Sequence, residues 1–149
     1  MKLKEQLYSI CSEILQKRLT FVQKSILDLE SALQSETKSS AGDKHETGRA
    51  MIQIEREKVG QQLAEIQKNQ KLLKRIDHNS KHKIIALGSI VYTSQFNYFI
   101  SVSVGEINNK EVSFYAISPQ SPIAKLLLGK TKDDTISFRS STFTIVKVI

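Results

Sequence analysis

Two acidic residues in a short polar stretch are the strongest candidates for chemistry in this chain. Asp43 and Glu46 lie three positions apart within residues 39–48, between two long segments that both have a helical pattern. Carboxylates three apart at the start of a helix lie on the same face and can share one cation, and Mg²⁺ prefers hard oxygen ligands of this kind. The same spacing is typical of a capping box, in which Asp43 is the N-cap and Glu46 bonds back to the backbone N–H of Asp43. The spacing by itself favours the capping interpretation.

Heptad-spaced apolar residues in the flanking segments predict the elements that position these carboxylates. The spaced residues are Leu15, Leu19, Val22, Ile26, Leu29 and Leu33 before the polar stretch, and Ile52, Val59, Leu63, Ile66 and Leu73 after it. Such a pattern is typical of paired helices. Because a short polar segment joins them, we expect an antiparallel coiled-coil hairpin over residues 1–77, with its tip at about residues 36–48. Two helices that meet only in a dimer would show the same pattern.

Residues 84–149 change to the alternation of apolar and polar side chains that is typical of strands. Ile100, Val102 and Val104, for example, alternate with serines. The pattern predicts about five strands, at 84–93, 100–104, 112–116, 136–139 and 142–149. Hairpin turns are expected at Asn108-Asn109 and Ser140-Ser141. The polar residues 78–83 are interpreted as a linker.

One short helix is predicted among the strands. Ser121 suits the N-cap position, Pro122 suits the first helical position, and Gly129 suits the left-handed conformation that ends a helix. The apolar residues Ile123, Leu126 and Leu127 are expected to face the sheet. The predicted fold class is therefore α+β: a helical hairpin, followed by a small antiparallel-sheet domain with one short helix.

Composition and charge narrow the class of protein. The chain has 149 residues, 40% of them hydrophobic, and a formal net charge of +7, which favours anionic partners in general. Lysines near residues 68–75 and 81–83 are interpreted as a solvated surface, because no aromatic residues that could stack on bases lie among them. The lone Cys11 fits a packing role in a reducing compartment. The chain has no signal peptide pattern and no apolar run of ~20 residues, so we expect a soluble cytoplasmic protein without a membrane partner.

Residues 121–130 carry a run with a family resemblance. They read Ser-Pro-Ile-Ala-Lys-Leu-Leu-Leu-Gly-Lys, which resembles the S-P-[IL]-[AG]-[KR]-x-L-[IL]-G-K motif in the C-terminal domain of the Gre family of bacterial transcript-cleavage factors. Residues 86–91 resemble the first strand of that domain. Gly42, Asp43 and Glu46 match the tip pattern G-D-x-x-E of the family. The resemblance covers essentially the whole chain, and it is strongest in 84–149.

This resemblance implies a function in transcription elongation. Gre-like factors dock an FKBP-like C-terminal domain, here 84–149, on the rim of the RNA polymerase secondary channel and pass the coiled coil down that channel. Asp43 and Glu46 would then help to hold a second Mg²⁺, shared with the polymerase, and to orient a water that cleaves backtracked RNA in the elongation complex of RNA and DNA. The active site belongs to the polymerase, so the protein would not be an enzyme alone, would bind no cofactor alone, and would act as a monomer.

The sequence does not say which residues of the small domain contact the partner, so the motif run is the first place to mutate. The candidates lie in the motif run, and they are Ser121, Pro122, Ile123, Lys125 and Lys130. Lys125 and Lys130 are the ones expected to be exposed, whereas the apolar residues are expected to be structural.

The chain departs from the family pattern directly after the tip motif. Where the family usually continues with Asn, a small residue, Glu and Tyr, this sequence has Thr47, Gly48, Arg49 and Ala50. Arg49 replaces a carboxylate with a cation, which would weaken metal binding or else contact the phosphates of the transcript. Two alternatives therefore stand beside the cleavage factor: a polymerase-binding regulator without cleavage activity, and a coiled-coil interaction module with no polymerase role.

Two further patterns have weaker functional interpretations. His78 and His82, four apart, would share a helix face and could bind a metal beside Asp77 if this segment were helical, but a solvated pair is favoured because no cysteine accompanies them. An FKBP-like fold also raises prolyl isomerase activity. Tyr92 and Tyr98 are interpreted as core and rim residues and not as the lining of a proline-binding pocket. A fold by itself does not determine a function.

Overall fold

Two long helices, six strands and a third helix make up the described part of the chain. The computed structural model describes residues 2–38 and 42–149, and the side chains of residues 37–46 lie outside this description. The elements are α1 (Leu3–Lys38), α2 (Gly42–Lys74), β1 (Ile90–Thr93), β2 (Asn97–Ile100), β3 (Gly105–Asn109), β4 (Val112–Ile117), α3 (Pro122–Leu127), β5 (Thr135–Phe138) and β6 (Ser141–Val148). The predicted α+β class is confirmed. No helix among these residues is long and apolar enough to cross a membrane.

The chain divides into two compact units. The hairpin unit is Leu15–Lys68, and the sheet unit combines Met1–Ile14 with Asn69–Ile149. This division falls within both long helices, whereas the sequence pattern placed boundaries at 77 and 84. The positions differ because a sequence pattern follows secondary structure, while compact units follow contacts. Contacts between helix ends and strands include the bond that the Asn109 side-chain amide donates to Gln6.

The hairpin unit is held together by an apolar seam between α1 and α2. Val22, Val59 and Ile66 are its buried residues, and Leu19, Ile26, Leu29 and Leu63 pack against them. The two helices run antiparallel, because Glu30 lies 3.4 Å from Arg56 while Glu36, further along α1, lies beside Gly48, further back along α2. The predicted antiparallel hairpin is confirmed within a single chain.

The sheet unit contains one six-stranded sheet with the strand order β3-β4-β2-β1-β6-β5. Neighbouring strands are antiparallel except for β2 and β4, which pair in parallel with Phe99 opposite Ala116. The predicted antiparallel-sheet domain is confirmed, with this one parallel pair as an exception. It is parallel because β3 lies between the two strands in the sequence and reverses the chain direction before β4 begins.

A buried core lies between the sheet and α3. Its fully or almost fully buried members are Ile85, Val91, Tyr98, Ile100, Ala124, Leu127, Ile136, Phe143 and Ile145. Close packing of such side chains is what fixes a short helix on a sheet, because six residues form too short a helix to be stable alone. Ile123 packs against this core as predicted, whereas Leu126 is 39% exposed and does not face the sheet as expected.

Two details of the strands differ from the sequence prediction. β2 ends at Ile100, so Val102 and Val104 are buried without belonging to a strand. The two valines are buried, whereas the serine between them is exposed. An irregular segment can therefore show the alternation that is typical of a strand. The β3–β4 turn is formed by Lys110 and Glu111, and not by Asn108-Asn109, because β3 continues through Asn109.

The remaining predicted turn is shifted by one residue. Arg139 and Ser140 connect β5 to β6, and Ser141 is already the first residue of β6. Arg139 has a φ of 56° in this turn, and Lys110 has a φ of 60° in the other. Lysine and arginine adopt this left-handed conformation only rarely. A prediction from sequence therefore places the turns at neighbouring Asn or Ser residues, which are common in turns.

Cys11 is completely buried in the sheet unit. Burial raises the pKa of its thiol to about 11, and a hydrogen bond with Ser101 opposes this effect. A thiol with such a pKa is almost fully protonated at neutral pH and therefore a poor nucleophile. The packing role predicted for Cys11 fits these properties.

A buried lysine ties the start of α1 to two other segments of the sheet unit. Lys4 is 4% exposed, and its Nζ donates hydrogen bonds of 3.0 Å to the backbone oxygens of Ser80 and Ile149. Burial lowers the pKa of Lys4, and the negative charge of Asp77 opposes the shift. Charge-assisted bonds of this kind are stronger than bonds between neutral groups, so the lysine stabilises this unit although burying its charge is costly.

We expect Lys4→Met to lower the free energy of unfolding by about 1–3 kcal/mol, because the Ser80 oxygen loses its side-chain donor without gaining water. Urea unfolding followed by circular dichroism measures the change. Lys2→Met is the matched control, since Lys2 is exposed and its replacement should change stability by no more than about 0.5 kcal/mol. Equal stability of the two variants would contradict a stabilising role for the Lys4 bonds.

Candidate functional site

The polar stretch between the long helices is mostly helical. α1 ends at Lys38 and α2 begins at Gly42, so only residues 39–41 separate the two helices instead of the predicted 39–48. The backbone of Asp43 and Glu46 lies in the first turns of α2. Residues three apart in a helix are neighbours on one face, which keeps the two carboxylates available to a common cation. The side chains of both residues lie outside the described part of the chain, and their metal-binding role remains a prediction.

The capping interpretation of Asp43 stays a prediction. A capping box is made by the side chain of a residue at the helix start. α2 begins at Gly42, and the side chain of Asp43, in its first turn, lies outside the described part of the chain.

An acidic residue from the opposite helix lies beside this turn of α2. A Cβ atom added to Gly48 would lie 3.0 Å from the carboxyl carbon and one oxygen of Glu36. Gly48 therefore permits a close approach of Glu36 that any larger residue would disturb. The sequence analysis missed Glu36. The antiparallel register, in which Glu30 pairs with Arg56, is the signal that places it there.

Arg49 follows Gly48 and is half-buried. It lies three positions after Glu46 in α2, so the two residues are neighbours along the helix. Its guanidinium forms no ion pair with the described residues, whereas Arg56 pairs with Glu30. A permanently charged cation without a described partner is thus placed next to the candidate metal-binding residue.

The predicted partner-binding run forms a capped helix. Ser121 Oγ accepts a hydrogen bond from the backbone N–H of Ala124 and donates one of 2.8 Å to Ser118 O, which confirms its N-cap role. Pro122 occupies the first helical position, and Gly129 has the left-handed φ of 82° predicted for it. Ser121 is therefore occupied by structural bonds and presents little to a partner.

The five partner-binding candidates divide into two groups. Pro122, Lys125 and Lys130 are exposed, and neither lysine forms an ion pair with a described residue. Ser121 and Ile123 are half-buried, and Ile123 contacts the core between α3 and the sheet. A partner that approaches this helix meets the exposed Leu126 as well, a residue that the sequence analysis assigned to the core.

The two histidines after α2 are not on a helix. α2 ends at Lys74, so the spacing of His78 and His82 does not place them on a common face. His78 packs against Tyr8 with a centroid distance of 5.0 Å. Among the described residues no group of three or more His, Cys, Asp or Glu side chains is arranged to hold a metal ion.

His82 belongs to a chain of hydrogen bonds that determines its tautomer. Ser80 Oγ donates to Asp77 O at 2.6 Å, so it must accept from His82 Nε2 at 3.2 Å. His82 Nδ1 is then the acceptor for the Ser89 hydroxyl, which is completely buried. Burial lowers the pKa of His82, and the positive charge of Lys4 lowers it further. The folded protein therefore favours the neutral imidazole.

Aromatic residues line a groove in the sheet unit that contains none of the predicted site residues. The groove has a volume of about 580 Å³ and lies beside Leu3, Gln6, Tyr92, Asn109, Lys110, Glu111, Val112 and Phe114. Tyr92 and Phe114 meet edge to face, with ring centroids 5.7 Å apart. Tyr98, by contrast, is buried in the core, as the sequence analysis interpreted it.

Comparisons with known proteins add little to this geometry. No protein-family model and no curated protein matches the chain. A solved structure titled "Structure of the transcription factor Gfh1" is 21% identical, and the match covers 91% of each chain with a TM-score of 0.36. A likeness this distant supports no argument about fold or function.

We expect Gly60→Ala to raise the free energy of unfolding by about 0.5–1 kcal/mol, because alanine favours a helix interior over glycine. An added Cβ at Gly60 meets no atom within 4 Å. Gly48→Ala should stabilise the protein less, since the Glu36 carboxylate must move away from the new methyl group. Urea unfolding of both variants gives the comparison. An equal gain for both would show that Glu36 does not pack against Gly48.

The pH dependence of stability tests the neutral state of His82. As the pH falls below about 6.5, the unfolded chain takes up a proton at His82. The folded chain does so only at lower pH, because the pKa of His82 is lowered in the folded state. The folded state therefore loses stability as the pH falls from the ordinary pKa to the lower folded pKa. Above pH 6.5 this stabilising contribution is complete.

We expect the free energy of unfolding to fall less between pH 7 and pH 5.5 in His82→Gln than in the wild type, because glutamine does not titrate. Urea unfolding at a series of pH values measures this. If His82→Gln retains the pH dependence of the wild type, His82 is not the responsible group.

Proposed function

We propose that this protein is a Gre-like bacterial transcription elongation factor that binds RNA polymerase at the rim of its secondary channel. The observation that carries the proposal is an antiparallel heptad hairpin with Gly42, Asp43 and Glu46 in the first turns of α2, its second helix. This is where the Gre family, which the sequence resembles, carries its G-D-x-x-E pattern. We propose that the protein acts as a cytoplasmic monomer.

The α3 region supports the same proposal. The run that resembles the family motif, residues 121–130, forms a helix with a Ser N-cap, a Pro at the first position and a left-handed Gly after its end. Each of these motif residues has a structural role in placing α3 on the sheet of this protein. Exposed Pro122, Lys125 and Lys130 are then the residues that we propose contact the polymerase.

The proposed activity is stimulation of RNA cleavage in a backtracked elongation complex. Asp43 and Glu46 would hold a Mg²⁺ shared with the polymerase and orient a water toward the phosphodiester near the 3′ end of the transcript. Such an ion, when bound, stabilises the charge on the attacking and leaving oxygens. Two carboxylates from one partner suit the preference of Mg²⁺ for few protein ligands. The reaction would take place in the active site of the polymerase.

Arg49 supports a second candidate, a channel-binding regulator without cleavage activity. A guanidinium near Glu46 opposes the approach of a divalent cation, because like charges repel in a site shielded from water. The same cation would instead suit the phosphates of the transcript. Both candidates require binding to the polymerase, and an interaction module with another partner would not.

We expect the protein to accelerate transcript cleavage in a stalled elongation complex with Mg²⁺, and Asp43→Asn or Glu46→Gln to slow it by roughly 10²-fold, since loss of a metal ligand costs several kcal/mol in the transition state. Gel analysis of labelled RNA measures the cleavage rate. Glu57→Gln, which neutralises an exposed carboxylate further along α2, is the matched control and should cleave as the wild type does.

Polymerase binding measured on the same samples separates the candidates. Binding without cleavage by the wild type would overturn the cleavage proposal and favour the regulator. Absence of binding would overturn both and leave the interaction module.

A further inference from the structure

Three aromatic rings meet on one side of the sheet. Phe96 and Tyr115 meet edge to face, with ring centroids 5.5 Å apart and an angle of 83° between the ring planes. The ring of Tyr98 lies 6.3 Å from that of Tyr115. Tyr98 and Tyr115 are partners in the parallel pair β2–β4, so their side chains lie on the same side of the sheet. The strand pairing therefore assembles the three rings.

A carboxylate lies on the same side of the sheet, next to Tyr115. Glu106 of β3 is directly opposite Tyr115 of β4, and residues so paired have Cβ atoms about 5 Å apart on one face. Ser113 Oγ donates a hydrogen bond of 2.9 Å to Glu106 Oε1, which holds the carboxylate toward β4. A carboxylate has about four acceptor positions, so this bond leaves others open. β3 is an edge strand, and no further strand covers its outer side.

These groups are accessible and have no cation among the described residues. Phe96 is 52% exposed, Tyr115 is half-buried and Glu106 is exposed. In the described part of the chain, a guanidinium lies over Phe138 and an ammonium lies over Tyr92, but no cation lies over any of the three rings. Glu106 forms no ion pair with a described residue. Its charge and the ring faces are therefore available to a cation from outside.

The local charge is negative. Glu106 is the only charged residue in the three adjacent strands β2, β3 and β4, whose sequences are Asn-Tyr-Phe-Ile, Gly-Glu-Ile-Asn-Asn and Val-Ser-Phe-Tyr-Ala-Ile. The turn between β3 and β4 adds Lys110 and Glu111, which carry opposite charges. This part of the surface is thus acidic and aromatic, although the chain as a whole has a net charge of +7.

We propose that this site, formed by Phe96, Tyr98, Glu106 and Tyr115 and named the Tyr115 corner, binds an arginine side chain of a partner protein. Aromatic ring faces attract cations, and a carboxylate accepts paired hydrogen bonds from a guanidinium. A guanidinium can stack on a ring and bond to the carboxylate at the same time, which favours arginine over lysine. The charge of Glu106 disfavours a nucleic acid, because its phosphates would be repelled.

This inference does not depend on the proposed function. It rests on ring contacts and strand pairing in the sheet unit, and the Tyr115 corner shares no residue with the motif run 121–130 or with residues 36–48. A protein without any polymerase role would retain the Tyr115 corner.

The test uses the isotope-labelled full chain and a capped pentapeptide with one arginine between glycines. Shifts in NMR spectra locate the contact and give its affinity. We expect saturable shifts at the residues of the Tyr115 corner, with a dissociation constant in the millimolar range because one side chain supplies the contact. Glu106→Gln should bind about tenfold more weakly, because it loses the charge of the acceptor.

Phe96→Leu tests the contribution of the ring. Leucine keeps an apolar side chain at this exposed position but offers no ring face, so we expect several-fold weaker binding. Glu111→Gln is the matched control for charge, because it neutralises an exposed carboxylate in the β3–β4 turn, and it should leave the affinity unchanged. A peptide with citrulline, a neutral analogue of arginine, should bind much more weakly. Thermal unfolding checks that each variant is folded.

Four results would overturn the proposal. The first is an absence of saturable shifts at the Tyr115 corner, and the second is equal binding of the citrulline peptide. The third is binding that survives both Glu106→Gln and Phe96→Leu. The fourth is a proline pentapeptide that binds more tightly than the arginine peptide and depends on Phe96, which would assign the rings to proline.

Discussion

The antiparallel seam between α1 and α2 is the constraint on which the candidate tip depends. The buried Val22, Val59 and Ile66 hold the two antiparallel helices in one register. That register brings Glu36 to Gly48 and Glu30 to Arg56. A shift by one helical turn would move every one of these neighbours by ~5 Å. Apolar packing further along the helices therefore determines which residues meet near the tip.

The sheet unit depends on polar bonds as much as on its core. Lys4 bonds to the backbone of Ser80 and Ile149, and His82 connects Ser80 to the buried Ser89. These bonds satisfy groups that would be costly to bury alone. They also join residues that lie far apart in the chain. The pKa values of Lys4 and His82 are both lowered, because burial disfavours their charged forms.

The surface of α3 that we connect with a partner is the part that its structural contacts leave exposed. Capping by Ser121 and packing of Ile123 use up part of the motif, and exposed Pro122, Lys125 and Lys130 are left for a partner. This surface is encoded in a continuous run of the sequence.

The sequence by itself determined the elements whose signals are local. Heptad spacing predicted the paired helices, and Ser121, Pro122 and Gly129 predicted the bounds of α3, because helix periodicity and capping involve residues only a few positions apart. The alternation at Ile100–Val104 misled, since burial of Val102 and Val104 imitates a strand. Only the tertiary structure decided the parallel pairing of β2 with β4, the position of Glu36 against Gly48 and the burial of Lys4. Each of these depends on contacts between residues far apart in the chain, and no local sequence pattern determines the free energy of such contacts.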